Sequence, residues 1–168
     1  MGMPYNKGKV YLTEGLRMKI STKSSIAMHC LIFIAEYGEH TRVTSGLLAK
    51  STGCNPAAIR SILGALQKAG LIAVARGVGG AHLAIDPAQL TLWDVYRALE
   101  PDGLDHLIGL HPAPSPYCPV GRNIGAVLQE PYRQVGQAMQ RQMQQITLAQ
   151  MLEQYHSLVL QEESKATN

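Results

Sequence analysis

Helix-length apolar repeats, each closed by a glycine, most constrain how the first half of this chain can fold. Apolar residues recur at three- and four-residue steps over 22–37, 45–51 and 57–69, which predicts three helices. A glycine follows each repeat closely, as is typical of helix ends. Asn55-Pro56 is an N-cap followed by a proline at the first helical position, which favours a helix start there. This order of elements predicts a helix-turn-helix.

The apolar pattern changes after the third predicted helix. Residues 71–74 and 82–85 read as two strands, and three of the five residues from Arg76 to Gly80 are glycines that suit a tight turn. A two-stranded ribbon directly after a helix-turn-helix is a wing, and a fourth helix is predicted over 91–99. The same glycines loosely match a dinucleotide-binding loop, but the full motif and its following helix are missing. The predicted fold class is mainly α with a small β-wing.

The second half of the chain has a different character. Five prolines predict an irregular loop over 101–121. A long apolar stripe then predicts a helix from 122 that must kink or restart at Pro131. This stripe is too long for a small winged domain to cover, which favours a partner chain. The sequence predicts five segments: an N-terminal extension (1–17), a winged helix-turn-helix domain (18–100), a proline-rich sensory loop (101–121), a dimerisation helix with a short final helix (122–160) and a tail (161–168).

Charge is distributed unevenly along the chain, although its net value is only +3. Residues 1–80 carry ten Lys and Arg against three acidic residues, and residues 81–168 carry five against nine. A basic half joined to an acidic half favours a module that binds a polyanion such as nucleic acid. The alternative is a chance asymmetry of solvated charges.

Several classes of protein are not expected. The longest nearly apolar run, 26–35, is shorter than the roughly 20 residues of a bilayer span, and no secretory signal is visible. Cys30, Cys54 and Cys118 form no C-x-x-C pair, so the thiols fit a reducing cytoplasm better than a disulfide framework or a zinc ribbon. No P-loop, nucleophile elbow or H-E-x-x-H motif is present, so the chain is not expected to be an enzyme.

The candidate DNA-binding residues lie at the second and third helices and the wing. Arg and Asn near the start of a recognition helix pair with guanine and adenine, and wing residues contact the DNA backbone. The alternative for the helix positions is that they are merely solvated. The candidate set comprises Lys50, Ser51, Asn55, Pro56, Ala57, Ala58, Arg60, Ser61, Arg76, Gly77, Gly79, Gly80 and His82.

Cys118 is the candidate sensor, because it lies in the proline-rich loop, where a thiol has no evident core to fill. An inert loop cysteine is the equal alternative. His106, His111 and Cys118 share one loop, but their spacing matches no standard zinc or iron site, so no metal or other cofactor is predicted.

Three stretches resemble the Rrf-two (Rrf2) family of bacterial winged helix-turn-helix regulators. They are M-K-I-S-T-K-S-S-I-A-M-H-C-L from Met18, the segment around Cys54-Asn55-Pro56, and the wing R-G-x-G-G-x-H-L-A from Arg76. The similarity spans about Met18 to Leu152. The family includes the iron–sulfur cluster regulator, the nitric-oxide-sensitive repressor and the cysteine-metabolism repressor.

The resemblance implies a homodimer with crossing C-terminal helices, two wings on palindromic DNA, and a sensory loop. Many members carry three clustered loop cysteines that hold an iron–sulfur cluster, whereas this loop has only Cys118. The chain looks more like single-cysteine members, although a mixed site with His29 is an alternative. We expect a cytoplasmic repressor, with a metal- or cluster-binding sensor and a protein-interaction scaffold as the other hypotheses.

Overall fold

The computed structural model describes residues 22–75, 80–104, 108–110 and 114–166. Within these ranges the chain is mostly helical with one small antiparallel sheet, which confirms the predicted fold class. No helix of the described ranges is long and apolar enough to cross a membrane. The elements are α1 (Lys23–Tyr37), α2 (Ser45–Thr52), α3 (Pro56–Lys68), β1 (Ile72–Val74), β2 (Ala81–Leu83), α4 (Leu92–Leu99), α5 (Pro119–Gln145) and α6 (Leu148–Ala166).

The helix-turn-helix forms as the sequence predicts, and local caps explain its boundaries. The Thr44 hydroxyl oxygen accepts a hydrogen bond from the Leu47 N–H at 3.2 Å, which caps α2. Gly53 ends α2 with φ of +68°, a left-handed conformation that favours glycine. Asn55 Oδ1 accepts from the Ala57 N–H at 2.8 Å, and Pro56 is the first residue of α3. The turn between the two helices therefore needs only three residues.

One buried cluster unites α1, α2, α3, β1, β2, α4 and the first residue of α6. The apolar stripe predicted for α3 is buried, which fixes the face that this helix turns outward. The largest fully buried side chains include Leu31, Leu48, Ile59, Leu66 and Leu148.

The wing base is anchored to the loop between α1 and α2. β1 and β2 pair antiparallel, with Ile72 opposite Leu83. Ala81 donates its backbone N–H to the Val43 carbonyl oxygen at 3.0 Å, and a Cβ on Gly80 would lie 2.5 Å from the Val43 nitrogen. This close approach requires glycine at position 80. The second strand begins at 81 and ends at 83, so the predicted range of 82–85 is wrong at both ends.

Backbone hydrogen bonds tie α6 to the start of α4. Thr91 and Asp94 form a capping box, in which the Asp94 N–H donates to the Thr91 hydroxyl and the Thr91 N–H donates to the Asp94 carboxylate. Beside this cap, the Leu92 N–H donates to the Ile146 carbonyl and the Leu148 N–H to the Leu90 carbonyl, both at 2.8 Å. These bonds form one of the connections between the C-terminal helices and the winged domain.

α5 begins earlier than predicted, and of the kink or restart predicted at Pro131 the restart does not occur. It begins at Pro119, inside the predicted loop, because proline at the first helical position lacks only an N–H that would have no partner there. It also continues through Pro131 without a restart. Proline at 131 removes the helical hydrogen bond that the carbonyl of Val127 would otherwise accept.

α6 is longer than the predicted short helix. It runs through residues 161–166, which the sequence analysis assigned to a tail. The segment Gln161-Glu162-Glu163-Ser164-Lys165 contains no glycine or proline and is rich in residues of high helix propensity. The predicted extension at 1–17 lies outside the described residues.

Candidate DNA interface

The outward face of α3 is the main candidate for DNA contact. Ile59, Ile62, Leu63 and Leu66 hold the opposite face against the core, so the helix cannot rotate without exposing them. The predicted residues of α3 and its cap are all exposed: Asn55, Pro56, Ala57, Ala58, Arg60 and Ser61, followed one and two turns later by Gly64 and Lys68. Small side chains near the helix start allow a duplex to approach closely, and Arg60 extends beyond them.

The charge along this part of the chain favours a polyanion. Between Glu39 and Asp86 the sequence contains no acidic residue and five Lys and Arg. Lys50, Arg60 and Lys68 of this group are exposed on α2 and α3. Because no carboxylate within the segment offsets these charges, the composition favours a positive potential over the two helices.

Two predicted contact residues already have partners within the protein. The Ser51 hydroxyl is hydrogen-bonded to His29 Nε2 of α1 at 2.9 Å. Asn55 uses its Oδ1 to cap α3, which leaves its amide NH₂ for other contacts. The Ser51–His29 pair was missed by the sequence analysis, because residues 22 positions apart on different helices show no local signal.

The wing residues are only partly described. His82 is exposed on β2, opposite Ala73 in the strand register. Gly80 packs against the Val43 backbone, and this contact accounts for a glycine there without any DNA. Arg76, Gly77 and Gly79 lie outside the described residues.

Cys118 lies at the N-cap position of α5 and is half-buried. Its carbonyl accepts from the Arg122 N–H at 3.0 Å, and its own N–H donates to the Ser115 carbonyl at 3.3 Å. A Cβ on Gly121 would lie 2.3 Å from the Ser115 oxygen, so glycine is needed for the loop to fold back on the helix start. The candidate thiol is therefore held in an ordered turn.

The other two thiols occupy different environments. Burial, reinforced by the nearby Cys54, raises the pKa of Cys30 to about 11. Cys30 is fully buried in the core, whereas Cys54 is half-buried at the turn before α3. Since the thiolate is the reactive form, Cys30 is a packing residue.

A metal site is not evident in the described ranges. Among those residues, no three His, Cys, Asp or Glu side chains converge so as to hold a metal ion. Two of the three loop candidates, His106 and His111, lie outside the described residues, and His29 is bonded to Ser51. The described residues thus do not provide the ligand set that an iron–sulfur cluster requires.

Comparison with known proteins identifies the family. A family model described as Rrf2, iron-dependent transcriptional regulator, matches residues 20–154. YwnA of Bacillus subtilis (strain 168), named as an HTH-type transcriptional regulator, is 33% identical over 124 residues, which cover 74% of this chain and 90% of that protein.

Solved structures agree with this result. A transcriptional regulator from Lactobacillus plantarum has a TM-score of 0.66 at 27% identity, over 86% of this chain and 98% of that one. IscR of T. potens has a TM-score of 0.61 at 23% identity, over 82% and 88% of the two chains, and supports the fold alone. These proteins are regulators rather than enzymes, and the chain belongs to the Rrf2 family of transcriptional regulators.

Proposed function

We propose that this chain is a DNA-binding repressor that acts as a homodimer on palindromic operators. The observation that carries the proposal is the exposed, acid-free surface of α2 and α3, whose opposite face is fixed in the core. A helix presented in this way fits the major groove, and the wing beside it can follow the adjacent backbone.

The residues of this surface divide by chemistry. Arg60 and the free amide of Asn55 suit base edges, because arginine pairs with guanine and asparagine with adenine. Ser61 and the alanines at the start of α3 contact the groove at short range. Lys50 and the wing residues Arg76 and His82 contact phosphates, which fixes the register of the protein on the duplex.

The dimer is supported by α5. Val120, Val127 and Val135 are 68%, 62% and 48% exposed on this helix, an unusual arrangement for apolar side chains without a partner. A second copy packed along the same stripe would bury them and place two α3 helices on one side of the assembly. The two α3 helices must then lie about 34 Å apart to meet successive major grooves.

Cys118 is the proposed sensor of this regulator. Cys118 lies where the loop meets α5, the proposed dimer helix. A chemical change at its thiol can therefore shift the spacing of the two α3 helices in the dimer. An oxidant or electrophile acts only if it favours one spacing over the other.

The operator is first identified by mapping the sites that the protein binds on its own genome. DNA binding is then measured on that operator. Fluorescence anisotropy should show saturable binding with a steep dependence on salt, because phosphate contacts release counterions. Arg60→Ala should weaken specific binding by roughly 1–3 kcal/mol. Arg141→Ala, which removes an equal charge from α5, is the matched control and should change little. Binding that is absent, or unaffected by Arg60→Ala, contradicts the proposed reading surface.

The sensor is tested separately by treating the operator complex with hydrogen peroxide. Cys118→Ser should abolish any change in DNA affinity and leave the untreated affinity intact. Cys54→Ala is the matched control, since it removes another partly accessible thiol, and it should keep the response. A response that survives in Cys118→Ser excludes this thiol.

A further inference from the structure

A cavity of about 450 Å³ lies between α1, the last turn of α2 and the middle of α6. It is separate from the surface of α3 and from the Cys118 loop. Pockets of this size hold small organic molecules in other proteins. Three of the lining residues from α1, Met28, Ile32 and Phe33, are apolar.

A second group of lining side chains is aromatic or acidic. Tyr37 and Tyr155 line the cavity together with Phe33, and the Glu36 carboxylate lies among them. The Phe33 and Tyr37 rings are 4.7 Å apart, and a hydrogen bond with Tyr37, together with burial, raises the pKa of Tyr155. No Lys or Arg occurs among the lining residues that the structure describes.

Glu36 is held in place from α6. The His156 Nε2–H donates to Glu36 Oε1 at 2.7 Å, and the Glu36 side chain is only 24% exposed. This contact orients the carboxylate at the edge of the cavity. A partly buried carboxylate among aromatic rings attracts a cation, because ring faces are themselves the negative ends of quadrupoles.

We propose that this cavity binds a small organic ammonium cation that carries an apolar or aromatic group. Phe33, Tyr37 and Tyr155 contact the cationic head, Glu36 neutralises its charge, and Met28 and Ile32 contact the apolar group. Glu36 disfavours an anion, as does the lack of Lys and Arg among the lining residues of the described ranges.

The α6 side of the cavity lies outside the part of the chain that matches the family. The family model ends at 154, and both Tyr155 and His156 follow that position. The site therefore combines lining residues of α1 and α2 inside the matched region with Tyr155 just beyond it.

The cavity also reaches the DNA-binding module, and this step depends on the proposed function. His29 and Ser51 line one end, and their hydrogen bond joins α1 to the last turn of α2, directly before the turn into α3. A cation that moves His29 changes the support of that turn. Bound cation and operator affinity should then be linked, each altering the other by the same factor.

Binding is tested by isothermal titration calorimetry on the full chain with three probes of similar size. Benzyltrimethylammonium is the cation, dimethylbenzylcarbinol its neutral counterpart and benzylsulfonate the anion. The cation should bind about tenfold more tightly than the alcohol, the size of a partly desolvated cation–π contact, and the sulfonate should not bind. Equal affinity for cation and alcohol, or no heat with the cation at millimolar concentration, overturns the proposal.

Variants then locate the site. Glu36→Gln should weaken the cation about tenfold and leave the alcohol unchanged. Glu153→Gln, which removes an exposed charge of α6 outside the cavity, is the matched control. Should Glu36→Gln fail to fold by circular dichroism, Tyr155→Leu replaces it and should weaken the cation severalfold. Unchanged cation affinity in the folded variant places the binding elsewhere and refutes this site.

The link to DNA is measured last, as the change in operator affinity with saturating benzyltrimethylammonium. A calorimetric signal without operator binding would refute the proposed function and leave the cation site standing. Operator binding without a calorimetric signal would do the reverse.

Discussion

The winged domain and α5 stabilise themselves in different ways. The winged domain encloses a continuous cluster of buried side chains drawn from all of its helices and both strands. Within α5, all of which the structure describes, only Gly136 is buried, where it packs against Leu104. The winged domain buries its apolar residues within the chain, whereas α5 leaves part of its apolar stripe exposed.

This contrast shows why the same apolar periodicity has two meanings. In α3, the stripe of Ile59, Ile62, Leu63 and Leu66 is covered by neighbouring elements of the same chain. In α5, the stripe includes Val127 and Val135, which remain largely exposed. Apolar periodicity predicts that one face of a helix is buried. Whether that face is buried by the same chain or by another depends on how the helix packs.

The largest expected effect is in the winged core. Leu66→Ala should lower the free energy of unfolding by about 2–5 kcal/mol, because it removes a fully buried side chain from a packed cluster. Urea denaturation monitored by circular dichroism measures the loss. Leu160→Ala on α6, where the side chain is 65% exposed, is the control and should change stability by less than about 0.5 kcal/mol. Equal losses at both positions would contradict the assignment of the core.

A second prediction concerns the stripe of α5. Val127→Glu should weaken the proposed dimer by at least about tenfold, or about 1.4 kcal/mol, since it places a charge in an apolar contact on both copies. Sedimentation equilibrium measures the mass at several concentrations. Gln144→Glu adds the same charge on the polar side of α5 and should keep the dimer. A mass that does not respond to Val127→Glu removes this face from the interface.

Local sequence signals predict the winged domain well. The three helices of the helix-turn-helix lie within one residue of their expected ends, because each boundary is set by a nearby residue such as Thr44, Gly53 or Asn55. These caps act through contacts two or three residues away, which are visible in the sequence. The bounds of the second wing strand are harder to predict from the sequence, since its start depends on the contact between Gly80 and Val43.

The other features depend on contacts between distant residues. Glu36 and His156 are 120 positions apart, and no pattern in the sequence brings them together. The cavity beside them was therefore not predicted. The start of α5 at Pro119 differs from the prediction for another reason, since proline signals a break in a helix interior but is tolerated at the first helical position.

A smaller effect is expected where the two regions join. Thr91→Ala should destabilise the chain by about 1 kcal/mol, because it removes the N-cap of α4 beside the bridge to α6. Thr91→Ser keeps the capping oxygen and should recover most of the loss. Thermal unfolding of the two variants provides the comparison, and equal melting temperatures would show that the cap contributes nothing.

The smallest effect is expected at an ion pair on α5, even though its pKa shift is large. Hydrogen bonds from Arg133 and then Gln134 lower the pKa of Glu130 from 4.5 to about 2, with Arg133 Nε 2.8 Å from Glu130 Oε2. Because the folded-state pKa is depressed, the contribution of the pair is complete above about pH 4.5 and is lost as the pH falls through about 2. The carboxylate is fully solvated, so solvent screens the pair and Glu130→Gln should leave neutral-pH stability within error of the parent. Carbon-detected NMR should place the Glu130 midpoint near 2 and return it toward 4.5 in Arg133→Gln. A clear loss of stability in Glu130→Gln would instead mean that this side of α5 is covered, and that the contrast between the two regions is smaller than the exposed valines indicate.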